Sequence, residues 1–118
     1  MQKTTLLTTL TVLAAIVVST VGAPYTIGIG SGSSMDPTID DGDIMIISHT
    51  YDSVEVGDVI IVDWGDRQAA HRLVSYAHAP KSGEVYVTKG DGHDEEDMLH
   101  TPVGSEEGKV VRVIDNPF

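Results

Sequence analysis

The sequence predicts a mainly β protein: an N-terminal transmembrane helix, then a small antiparallel domain of barrel-like or sandwich form. Three observations predict it. No Asp, Glu, Lys or Arg stands between Thr4 and Met35, so the first part of the chain is uncharged. Short β-branched runs recur beyond it. Gly- and Asp-rich turn signals separate those runs. A length of 118 residues is room for one modest domain. The expected division is an anchor over 1–24 and a β-rich domain over 25–118.

The anchor rests on Leu6 to Val21, LLTTLTVLAAIVVSTV, which is apolar apart from Thr and Ser. With Gly22 and Ala23 it reaches 18 residues, and Pro24 marks its end. About 20 residues cross a bilayer as a helix, and Thr and Ser hydroxyls can bond back to helix carbonyls. Lys3 precedes the run, which favours a cytoplasmic N-terminus and a body outside the cell membrane, held by a single pass. A cleaved leader is the competing reading, with its cut after Ala23. Pro24 disfavours that cut, and the apolar stretch is long for a leader. A buried globular helix would have no other evident helix to pack against.

Four strand-like runs follow: Ile44–Ile47 (IMII), Val59–Val62 (VIIV), Val85–Val87 (VYV) and Val110–Ile114 (VVRVI). Between them stand Asp40-Asp41-Gly42-Asp43, Val56-Gly57-Asp58, Asp63-Trp64-Gly65-Asp66 and Lys81-Ser82-Gly83-Glu84. Short strands at this spacing suggest an antiparallel barrel or sandwich. Gly28, Gly30 and Gly32 alternate just after the anchor and rule out a helix there.

The formal charge is −11, and every acidic residue lies at or after Asp36. Such a body argues against nucleic-acid binding, because phosphate contacts need Lys and Arg. The acidity suits a solvated, self-repelling surface or a high-salt habitat. The scarcity of lysine favours the second, with a salt-loving archaeal or viral source. There is no cysteine, which excludes disulfides, thiolate nucleophiles and Cys-based zinc sites.

Chemistry enters with Gly32-Ser33-Ser34-Met35-Asp36-Pro37-Thr38. A serine in a glycine-flanked loop can expose its hydroxyl and admit a substrate backbone. Free backbone N–H groups there can form an oxyanion hole. An arbitrary Gly-Ser-Ser is more often a linker, so the longer string decides. Ser34-Met35, Pro37-Thr38 and then Gly42-Asp43 resemble the signature of type I signal peptidases. The resemblance makes Ser34, rather than Ser31 or Ser33, the nucleophile.

A serine hydroxyl needs a base. Bacterial members of that family use a lysine; here Ala70-His71-Arg72-Leu73-Val74 resembles the His-Arg-Val string of the archaeal and endoplasmic-reticulum branch. The resemblance assigns the base to His71, and an ordinary imidazole is largely neutral at neutral pH. Thr88-Lys89-Gly90-Asp91, with Asp97 six residues on, resembles the branch's acidic motif, although Gly92 and His93 replace its two asparagines. One of these carboxylates would orient the base. Asp97 is the first choice and Asp91 the second, with a more structural part in holding the loop. Lys89 belongs to the Lys-Gly-Asp turn and is not read as catalytic.

The acids at 91, 94, 95 and 97 could attract a cation, but they lack the calcium-loop pattern, and His93 and His100 lack a zinc spacing. No metal and no cofactor is expected. Gly108–Ile114 resembles the last core strand of the family. Taken together, the resemblance implies a membrane-bound serine endopeptidase that removes signal peptides from secretory precursors. Its partners would be those precursors, the lipid bilayer and the secretion channel. The alternatives are a non-catalytic membrane-anchored β-domain that binds pre-proteins, and a dedicated protease for a few viral or pilin-like precursors. A self-cleaving repressor on a related fold expects a lysine base and a soluble or DNA-binding N-terminus.

Overall fold

All four β-branched runs become strands, and three further strands join them. The computed structural model describes residues 25–118. The strands are β1 (Tyr25–Ile29), β2 (Ile44–Ser48), β3 (Val59–Asp63), β4 (Gln68–Ala79), β5 (Gly83–Lys89), β6 (Thr101–Pro102) and β7 (Gly108–Ile114). They form one antiparallel sheet in the order β1-β2-β7-β3-β4-β5-β6. The anchor expected over 1–24 lies outside the described residues. Among the described residues no helix is long and apolar enough to cross a membrane.

The expected barrel or sandwich is corrected to an open sheet. Closure would pair β1 with β6, yet among the described residues these are the two edges of the sheet. β6 is only two residues long and matches β5 through Tyr86↔Thr101 and Val85↔Pro102. Its second residue, a proline, has no N–H to give a further neighbour.

The run VIIV explains the centre of the fold. Successive strand residues point to opposite faces, so an unbroken apolar run calls for cover on both. Val59 and Ile61 pack with Met35, Ile39, Met45 and Ile47. Ile60 and Val62 pack with Leu73 and Tyr86. Full burial of each such side chain contributes about 1.5–3 kcal/mol. β3 thus becomes a rigid spine between β7 and β4.

β4 is the longest strand, yet Gln68–Ala79 has no strong β-branched run. Its extension comes from pairing on both sides, with β3 over Gln68–Arg72 and with β5 over Arg72–Ala79. A bulge at Val74 shifts the second register and raises local twist just beyond His71.

Candidate active site

The loop from Gly30 to Asp43 joins β1 to β2 and carries Ser34. Its two ends are clamped, with Gly30 N–H donating to Asp43 O (2.8 Å) and Gly42 N–H to Gly30 O (2.8 Å). Within it Gly32 N–H donates to Asp41 Oδ1 (3.0 Å). The buried Asp43 carboxylate accepts from Asp40 N–H and from Asn116 N–H, both at 2.7 Å, tying the loop's end to the C-terminal tail. Met35 and Ile39 are sunk in the core, and Ile39 N–H donates to Met35 O (2.9 Å). The methionine after Ser34 is therefore an anchor. It pins the serine's backbone while Ser34 itself lines a cleft.

His71 stands on β4 opposite Ile60 and is only 3 % exposed. Its Nδ1 lies 2.6 Å from Asp97 Oδ2. The same carboxylate oxygen accepts from the fully buried Thr88 hydroxyl (2.7 Å), and Asp97 N–H donates to Thr88 O (2.8 Å). Thr88, near the end of β5, so fixes the aspartate that faces the imidazole. Two aromatic rings meet His71 edge-on. Trp64 does so at 5.3 Å and 82°, and His93 at 5.8 Å and 84°. Hydrogen bonding holds one ring nitrogen, and the flanking rings hold the plane. Among the described residues the hydrogen bonds of the His71 ring end at Asp97, and none joins it to Ser34.

Asp91 does different work. It accepts from Arg72 Nε (2.9 Å) and Nη2 (2.6 Å), and from Thr38 Oγ1 (2.6 Å). Arg72 also donates to Gly57 O (2.7 Å). The guanidinium, aided by Thr38 and opposed by partial burial, holds the Asp91 carboxyl below the usual carboxylate range. Asp91 N–H points at Met35 Sδ (3.3 Å). Asp91 thus ties β4 to the serine loop, and among the described residues no hydrogen bond joins it to the imidazole.

The departures at 92 and 93 also find a physical reason. Gly92 N–H donates to Ser34 O (2.9 Å). A Cβ at Gly92 would overlap Ser33 O, and one at Gly90 would overlap Ser34 O. This turn is pressed against the serine's backbone, and only glycine allows that approach. The turn then delivers His93 to the cleft. Lys89 Nζ rests on Gly90 O (3.2 Å), outside the cleft lining.

The cleft measures about 660 Å³, within the range of ligand sites. Its lining includes Ser31 to Met35 from the β1–β2 loop together with Trp64, Arg67–His71, His93 and Asp97. Ile29, Ile39 and Met45 add apolar surface. Of the four residues expected from sequence, Ser34, His71 and Asp97 share this cleft, and Asp91 stands behind it. Trp64, Thr88 and Arg67 were not legible as site residues. Trp64 lay in a turn signal, and a strand threonine carries no distinguishing pattern. Among the described residues no cluster of three or more His, Cys, Asp or Glu could hold a metal.

A family model described as "Peptidase S24-like" matches residues 20–80, a span that includes Ser34 and His71 and stops before Asp97. The chain is 30 % identical over 67 residues to the signal peptidase complex catalytic subunit SEC11 of Zygosaccharomyces rouxii. That match covers 55 % of this chain and 40 % of the yeast protein, so the chain spans well under half of its curated relative. With just over half of the chain matched and the cleft built largely from that span, the chain belongs to the S24-like peptidase family.

Proposed function

We propose that the protein is a membrane-anchored serine endopeptidase that removes signal peptides from secretory precursors. The observation that carries this reading is the His71–Asp97 pair, 2.6 Å apart, lining the same cleft as Ser34.

In this reading Ser34 Oγ attacks the carbonyl of the peptide bond to be cut. His71 Nε2 takes the serine proton and later returns it to the leaving amine. Asp97 accepts the Nδ1 proton, which leaves Nε2 free as the base and stabilises the imidazolium that forms. Catalytic hydrogen bonds often tighten only when substrate is bound, which suits a Ser34 hydroxyl unbonded to His71 in the free protein. Backbone N–H groups beside Ser34 stabilise the oxyanion. Gly32 stands two residues before the serine and offers no hydroxyl to assist. Met35, Ile39 and Asp91 position the loop. The apolar run at 6–23 supplies the anchor that holds the cleft at the membrane surface, where precursors emerge.

The test is processing of a precursor by membranes that carry the protein in high salt. Ser34→Ala and His71→Ala should each abolish cleavage, and a fluorophosphonate should label the wild type but not Ser34→Ala. Undiminished cleavage by Ser34→Ala would sink the assignment.

A further inference from the structure

Among the described residues Arg67 is the only Lys or Arg that lines the cleft. The β3–β4 turn builds its position. Trp64 N–H donates to Arg67 O (2.9 Å), and Gly65 takes a positive φ of 97° to close the turn. The guanidinium carbon then lies over the Trp64 ring, 5.3 Å from its centroid. That same indole meets the His71 ring edge-on. A cation is thereby set one ring away from the proposed base.

Nearby carboxylates have other donors: Asp63 Oδ1 takes Gly65 N–H (2.7 Å), Glu107 Oε1 takes the Gln68 side-chain amide, and Asp97 serves His71 and Thr88. Asp66 stands exposed beside Arg67 in the turn, and among the described residues no ion pair joins the two. Among the described residues Arg67 enters no ion pair, whereas Arg72 pairs with Asp91 and Lys109 with Asp58. Stacking on an indole keeps the guanidinium's N–H edge available to a planar acceptor. A body of net charge −11 repels acidic peptides at long range. A local cation at the cleft reverses that sign where the peptide must lie.

We propose that Arg67 is a specificity-determining residue that receives a carboxylate of the substrate, an Asp or Glu side chain close to the bond that is cut. The proposal rests on the peptidase reading for the cut itself, while the recognition can be measured without cleavage. Arg67 is exposed, so solvent screening limits the gain to about two- to fivefold.

The experiment uses the full chain in lipid nanodiscs and matched peptides with small residues around the expected cut. The peptides differ only by Glu or Gln at one position, walked across both sides of the bond. Wild type is assayed for kcat/KM, and Ser34→Ala for peptide affinity by fluorescence anisotropy. The expected result is a preference of about two- to fivefold for Glu over Gln at one or two adjacent positions. That ratio should fall toward one in Arg67→Gln, hold in part in Arg67→Lys, and shrink as salt is added. A ratio of one at every position, or a preference that survives Arg67→Gln, would overturn the proposal. If no peptide is cut but Ser34→Ala still prefers Glu through Arg67, the peptidase reading fails and the recognition stands.

Discussion

Replacing Asp97 with asparagine keeps the side chain's size and removes its charge. Two donors meet one carboxylate oxygen in the native site, His71 Nδ1 at 2.6 Å and Thr88 Oγ1 at 2.7 Å. If the carbonyl of the new amide takes the place of that oxygen, it keeps both donors and the ring tautomer is unchanged. In the proposed mechanism the imidazolium of the transition state loses its counter-charge. Removing one partner of a buried charge pair costs about 3–5 kcal/mol. Each 1.36 kcal/mol is tenfold in rate, so kcat should fall by about 10²–10⁴. Thr88 retains an acceptor, so the urea unfolding midpoint should move little. Asp97→Ala differs, because it orphans the buried Thr88 hydroxyl at about 1–3 kcal/mol of stability. Asp91→Asn is the control. It breaks a partly exposed ion pair with Arg72, worth about 1 kcal/mol at most after solvent screening, and leaves the imidazole's partner in place. Steady-state cleavage beside urea unfolding separates the three variants. If Asp97→Asn turns over within tenfold of wild type, or Asp91→Asn loses more turnover than Asp97→Asn, the reasoning is refuted.

Gly92→Ala should displace the 90–93 turn from the serine loop, since its Cβ would overlap Ser33 O. We expect a loss of about 1–3 kcal/mol together with a drop in turnover, read by thermal unfolding and cleavage, and an unchanged Tm would show that the turn is free to move. The Arg72–Asp91 tie also sets an acid limb of stability. Arg72 holds the folded Asp91 carboxyl below its ordinary value of 3.8, so its contribution is fully present above that pH and is lost as pH falls through the lower, folded value. Urea midpoints measured below about pH 4 should therefore fall less steeply in Asp91→Asn than in wild type, and identical slopes would remove Asp91 from the acid response.

Much of the molecule is written in local pattern. IMII, VIIV, VYV and VVRVI are all strands within a few residues of their expected bounds, because β-branched side chains suit a pleated surface. Other strands had no such signal. Tyr25–Ile29 contains a glycine, and Gln68–Ala79 is largely small and polar. Both are extended because a neighbour supplies a hydrogen-bonded edge. The open sheet was equally hidden, since strand number and spacing do not say which edges meet.

Ser34, His71 and two aspartates are the candidates that the sequence alone offers, because the order and spacing of short strings survive without knowledge of the fold. Which aspartate faces the imidazole was not. Asp91 and Asp97 sit on the same acidic loop, and spacing treats them nearly alike. The tertiary structure separates them through partners distant in sequence. Arg72 and Thr38 engage Asp91, while Thr88 steers Asp97 onto His71. The placement of Trp64 and Arg67 beside the imidazole has the same origin. The β3–β4 turn brings them there, and a contact between side chains of different strands is set by register and packing, which no local string encodes.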